Sequence, residues 1–133
     1  MLHIQAIHHV AILTVDYPSV KEFYTRVLGF TILNETFRPE RNSYKLDLAI
    51  QGKYQIELFS FPTAHERSSY PEAKGLRHLA FVVKNLNEAV AYLQSKNIKT
   101  EEIRIDEITG SKHVFFFDPN NQPLELVEST ELS

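Results

Sequence analysis

The strongest chemical signal in this chain comes from four residues, His9, Glu57, His78 and Glu125. With no cysteine present, a metal ion could be held only through imidazole nitrogen and oxygen. Two neutral imidazoles and two carboxylates cancel the charge of a divalent cation, and such a donor set with positions left for water suits Ni²⁺, Co²⁺, Zn²⁺, Mn²⁺ or Fe²⁺. Taken singly, each residue reads as an ordinary strand histidine or a glutamate facing solvent from a half-exposed sheet. A repeat sets them apart. His9-Val-Ala-Ile-Leu-Thr-Val-Asp16 lines up with His78-Leu-Ala-Phe-Val-Val-Lys-Asn85 at an offset of 69 residues, and Ile56-Glu57-Leu58 with Leu124-Glu125-Leu126 at an offset of 68. Each half supplies one His at the start of its first strand and one Glu in the middle of its last, so pairing of the halves about a pseudo-twofold axis would bring four donors to one point. Only His9 of the His8-His9 pair matches His78; its neighbour, on the opposite face of a strand, is expected to be a supporting or buried structural residue.

The elements that must position these residues follow the same duplication. Val20, Phe23, Tyr24, Val27 and Leu28 form an amphipathic helical stripe, with Pro18 near its start and Gly29 closing it. In the second half the stripe is Leu86, Ala89, Val90 and Leu93, closed by Asn97, the residue after glycine best able to turn left-handed. Strand character predicts strands over 30–37, 44–50 and 54–60, the last two joined through Gln51-Gly52-Lys53, and over 99–103, 112–117 and 123–127, with Asp118-Pro-Asn-Asn121 as the final turn. Each half therefore reads β-α-β-β-β, an α+β pattern. We expect a single domain over 5–129, made of repeats 5–61 and 75–129, with 62–74, which holds two prolines, as the linker.

The chain has 133 residues, with 14 Lys+Arg against 17 Asp+Glu for a formal charge of −3. That length suits one domain with its own core. No run of basic residues is present to neutralise phosphates or an anionic lipid surface, so neither nucleic acid nor membrane is expected as a partner. The start lacks a basic stretch followed by an apolar one, and no window approaches the ~18 apolar residues of a membrane span; a soluble, cytoplasmic protein is expected.

The motifs Ile7-His-His-Val-Ala-Ile12, Phe23-Tyr-Thr-Arg-Val-Leu-Gly-Phe30, Gly75-Leu-Arg-His-Leu-Ala-Phe-Val-Val83 and Phe117-Asp-Pro-Asn-Asn-Gln-Pro-Leu-Glu-Leu126 resemble those of the vicinal oxygen chelate superfamily, the glyoxalase/bleomycin resistance/dioxygenase family. The resemblance runs from about His8 to Glu128 and is nearest to small bacterial glyoxalase-like proteins. It implies two tandem β-α-β-β-β modules curled into a mixed-sheet cup, a homodimer, a small-molecule substrate, and metal ligation by His9, Glu57, His78 and Glu125. A carboxylate at Glu57 resembles glyoxalase I rather than the two-His, one-Glu members of the family. The implied chemistry is metal-assisted proton transfer beside a carbonyl, with Glu125 or Glu57 as the base and Glu125 preferred by analogy. Where glutathione-using enzymes of the family carry an Arg and an Asn for the tripeptide, this chain has Leu13 and Phe61, so the substrate is not expected to be the glutathione hemithioacetal itself. Two rival readings are an Fe(II) dioxygenase using His9, His78 and Glu125, and a small-molecule-sequestering protein without catalysis. Arg38, Arg41, Lys112 and His113 are candidate cations for an anionic substrate, with Phe61 as part of an apolar wall.

Overall fold

Leu46 and Leu48 on one strand, and Ile56 and Leu58 on the next, alternate with less buried or polar residues, and burying that face beneath a helix builds the first half of the structure. The structure, a computed structural model, describes residues 1–68 and 70–129. It divides into two compact units, Met1–Glu66 and Arg67–Ser133.

In the first unit β1 (Val10–Thr14) leads into α1 (Tyr17–Glu22), which runs on as a π-helical turn, Phe23–Val27. Then follow β2 (Thr31–Arg38), β3 (Ser43–Ile50) and β4 (Lys53–Ser60), in the sheet order β1-β4-β3-β2 with β1 parallel to β4. Val20, Phe23 and Tyr24 from the helical segment are buried with Ile12, Leu46, Leu48, Ile56 and Leu58. Each such side chain contributes about 1.5–3 kcal/mol of apolar burial. The sequence stripe predicts one regular helix to Leu28. Instead the Leu28 N–H donates to Phe23 O (2.9 Å) and the Phe30 N–H to Tyr24 O (3.0 Å), a widened turn that Gly29 ends at φ 81°. The hairpin between β3 and β4 has only Gln51 and Gly52 in its turn, both at positive φ, the primed geometry whose twist matches the strands.

The second unit repeats the plan with β5 (Leu79–Val83), α2 (Leu86–Ser95), β6 (Arg104–Ile105), β7 (Lys112–Phe117) and β8 (Pro123–Glu128), in the order β5-β8-β7-β6 with β5 parallel to β8. The side chain of Asn85 caps α2 by accepting from the Glu88 N–H (3.0 Å). At the other end Asn97 sits at φ 63°, and the Ile98 N–H reaches Leu93 O (2.9 Å) while the Asn97 N–H reaches Gln94 O (3.0 Å). The strand expected over 99–103 is absent as such. A bridge between Thr100 and Phe116 and the two residues of β6 replace it, because this charged segment forms a sheet edge with little apolar surface to bury. The Asp118 carboxylate holds the final turn by accepting from the N–H groups of Asn120 (2.7 Å) and Gln122 (2.9 Å). No helix among the described residues is long and apolar enough to cross a membrane.

Two polar contacts fasten α1 to β2: the buried Tyr17 hydroxyl donates to Glu35, which also accepts from Lys21 Nζ at 2.8 Å. Burial first, then the bond to Glu35, pushes the Tyr17 pKa well above the ordinary phenol range. An unfolded chain releases this proton near pH 10 while the folded chain keeps it, so the contribution is complete below about pH 10 and declines above it. Tyr17→Phe should cost about 1–2 kcal/mol in urea unfolding at neutral pH and flatten the alkaline decline. An unchanged midpoint would show that the contact adds nothing.

Candidate functional site

In the first unit the parallel pairing of β1 with β4 sets Ala11 opposite Glu57. His9 lies two positions before Ala11 and so takes the same face, with Nε2 3.8 Å from Glu57 Oε1. Its ring stacks flat on Tyr54 (centroids 5.0 Å apart, 3° between planes). His8, read from the sequence as a supporting or buried structural residue, is exposed, and its Nδ1 lies 2.7 Å from His9 Nδ1. His9 therefore has one ring nitrogen held by a neighbour, a contact that orients the ring, and turns the other toward the Glu57 carboxylate.

Glu57 is buried and tightly held. Tyr54 donates to Glu57 Oε2 at 2.8 Å, and the same hydroxyl lies 3.0 Å from Asp47 Oδ1. Lys45 Nζ reaches both carboxylates, Asp47 at 2.8 and 3.1 Å and Glu57 at 3.3 Å. The bond to Asp47 is the main reason that the Lys45 ammonium is held above its ordinary range. Burial, then the bonds to Glu57 and Asp47, raises the Tyr54 phenol, which stays a neutral donor. Two carboxylates against one ammonium leave a net negative cluster beside the His9 ring, an environment that favours a cation.

The second unit repeats the pair but not its surroundings. Ala80 lies opposite Glu125, and His78, two positions earlier, brings Nε2 to 3.5 Å from Glu125 Oε1. Across the β7–β8 ladder the partner of Glu125 is Phe115, where the first unit sets Asp47 opposite Glu57. His78 meets the Phe115 ring edge-on at 5.1 Å.

The structure thus joins the four sequence-derived residues two by two. Among the described residues no group of three or more His, Cys, Asp or Glu side chains is arranged to hold an ion. Each pair on its own offers the nitrogen and carboxylate donors that a divalent cation takes. Of the weaker candidates, His113 lines a cavity with Glu125. Arg38 lies over the Phe59 ring at 4.9 Å and donates to Ser43 Oγ at 2.8 Å. Lys112 alternates to the face opposite His113, Arg41 is exposed at the end of a 3₁₀ turn, and Phe61 is half-buried just past β4, so none of the three joins either pair.

Sequence reasoning missed Lys45, Asp47 and Tyr54. Regular alternation places Tyr54, three residues before Glu57, on the opposite face. A bulge changes this: Leu48 pairs with Ile56 but Ala49 with Tyr54, so Gln55 is an extra residue that returns Tyr54 to the face of Glu57. Lys45→Met should destabilise the fold by about 1 kcal/mol by leaving two carboxylates unscreened, and adding Asp47→Asn should recover most of that loss in urea unfolding. Simple additivity of the two changes would argue against the network.

Comparison with known proteins places this geometry in a wider group. YwkD of Bacillus subtilis (strain 168), an uncharacterized protein, is 55% identical over 125 residues, 94% of this chain and 98% of that one. The crystal structure of a glyoxalase family protein from Enterococcus faecalis matches with a TM-score of 0.88 at 47% identity, covering 96% of this chain and 100% of the other. More distantly, the lactoylglutathione lyase of Schizosaccharomyces pombe (strain 972 / ATCC 24843) is 26% identical over 147 residues, 94% of this chain and 48% of that enzyme. With two four-stranded mixed sheets of β-α-β-β-β order and a family model matching residues 6–126, the chain belongs to the Glyoxalase/Bleomycin resistance protein/Dioxygenase superfamily.

Proposed function

We propose that this protein is a metal-dependent lyase or isomerase of glyoxalase-like type, with His9, Glu57, His78 and Glu125 as the ligands of a divalent cation. The supporting observation is the pairing itself: in both units a histidine two positions before the strand residue opposite a glutamate meets that glutamate at 3.5–3.8 Å. The likeness to a lactoylglutathione lyase agrees with it. The cation, when bound, would polarise a substrate carbonyl and stabilise the charge that develops on its oxygen.

The chain's own residues divide the remaining work. Tyr54 and Lys45 clamp Glu57 and leave it little freedom to move. Among the described residues, Glu125 has His78 as its ion-pair partner and the Phe115 ring across the ladder, and no hydroxyl or ammonium clamp. A base that must swing from ligand to substrate and back has to be the less restrained carboxylate, so Glu125 takes the proton from carbon and Glu57 stays in place. Leu13 and Phe61 stand where the glutathione-using enzymes are expected to hold the tripeptide, and neither side chain can bind a carboxylate. Another thiol adduct, or another small molecule with neighbouring oxygens, is the substrate.

Titration of chelator-stripped protein with Ni²⁺, Zn²⁺, Mn²⁺ and anaerobic Fe²⁺ should show tight binding near one ion per chain that Glu57→Ala weakens by at least tenfold, as loss of a ligand requires. Absence of specific binding would overturn the reading. In the loaded protein Glu125→Gln should lower turnover of thiol adducts of 2-oxoaldehydes by about 100-fold or more, the lower end of the contribution of a general base. Turnover within a few-fold of the parent, with metal still bound, would remove Glu125 as the base. We also infer a homodimer, on the family resemblance and on apolar side chains left exposed on strands, Leu13 (44%) and Val82 (71%) among them. A sedimenting species at the chain mass of 15.4 kDa would exclude it.

A further inference from the structure

The second unit holds a cavity of about 270 Å³ beside His78, just below the roughly 300–1,000 Å³ range of drug-sized ligand sites. Phe115 and Phe117, two positions apart on one face of β7, line it together with three arginines, Arg67, Arg77 and Arg104. Arg77 is paired with Glu72 (3.3 Å) and Arg104 with Glu101 (3.4 Å), all four side chains substantially exposed. Such pairs are weakly held and yield to a better partner. Arg67 is different. Its Nη2 donates to the backbone oxygens of Arg77 (2.7 Å) and Leu76 (3.2 Å), and Nη1 to Gln122 Oε1 (3.4 Å), which fixes the guanidinium in place. Its Nε is out of solvent with no acceptor, and among the described residues no carboxylate lies within ion-pair distance of it. A guanidinium is always charged, so Arg67 adds a cation to the lining that no carboxylate among the described residues neutralises.

Three guanidinium groups against two carboxylates leave the cavity with one excess positive charge. Another cavity of this unit, about 700 Å³, is lined by Asp106, Glu125 and Glu128 with His113 and is negative instead. We propose that the cavity beside His78 binds the non-reacting end of the substrate, a small organic carboxylate whose apolar part lies on Phe115 and Phe117 and whose anion meets the guanidinium cluster of Arg67, Arg77 and Arg104. This rests on the metal-centre reading for placing the reacting end next to His78, and on the cavity alone for the anion. A single excess charge suits a monoanion better than a phosphate or phosphonate dianion. None of these arginines was singled out in the sequence, because each is ordinary in its local context and only the fold gathers them.

The test uses chelator-stripped, desalted full-length protein with phenylacetate, its neutral isostere phenylacetamide, and phenylphosphonate as the dianion. Phenylacetate should shift the Arg67 Nε–H resonance in nitrogen–proton correlation spectra and bind at least about tenfold more tightly than phenylacetamide, as a charge-assisted bond implies. Arg67→Met should abolish that preference. Because Arg67 also bonds to backbone oxygens, Arg104→Gln, an exposed change, serves as the second variant and should weaken phenylacetate a few-fold without altering thermal stability. Equal binding of acid and amide, an unmoved Arg67 resonance, or tighter binding of phenylphosphonate would overturn the proposal. Carboxylate binding by a protein that takes no metal would sink the catalytic reading and leave this site standing. Metal binding with no carboxylate preference would do the reverse.

Discussion

The parallel pairing of the first strand of each unit with its last is the constraint on which the rest depends. Parallel strands cannot be joined by a tight turn, so the chain must leave the sheet through a helix and return by way of the two intervening strands before it can lie beside β1 or β5. That detour sets Ala11 opposite Glu57 and Ala80 opposite Glu125, and the two-residue period of a strand then puts His9 and His78 on the carboxylate face. The opposite face carries the Leu, Ile and Phe side chains that the helix covers. One register therefore serves both core and site, and a slip of one residue would send the apolar set to solvent and the donors into the core.

Duplication has kept the scaffold and altered what surrounds each donor pair. At matched ladder positions, Asp47 of the first unit corresponds to Phe115 of the second, and Lys45 to His113. The first pair is enclosed by an ammonium, a second carboxylate and a phenol, while the second lies against an aromatic ring. Polar partners on a carboxylate restrain it, and an aromatic neighbour does so much less. Two glutamates at matched positions of the two units are thereby made physically unequal, one clamped and the other less restrained.

The sequence, read alone, carried most of the architecture because the signals involved are local. Amphipathic stripes marked both helical segments, Gly29 and Asn97 marked their left-handed ends, and Gln51-Gly52 marked the hairpin, each through a preference expressed within a few residues. The repeat then made His9, Glu57, His78 and Glu125 visible as matched positions, and the family resemblance named the fold around them. Two local readings went astray where neighbours along the chain do not decide. The segment 99–103 is mostly charged and sits at a sheet edge, where it makes a single bridge, and the end of the first helical segment widens into a π turn that no stripe of apolar residues can distinguish from an α-helix.

What the sequence determined by itself, then, was the set of elements, their duplicated order and the matched positions of the two His–Glu pairs, since these rest on spacing and side-chain type. Tertiary structure alone decided which charges meet. Tyr54 reaches Glu57 because a bulge at Gln55 shifts the register, and Arg67, Arg77 and Arg104 share a cavity although they come from well-separated positions in the chain. Contacts of this kind are set by ladder register and loop path, properties of strands already paired, and no local preference encodes them.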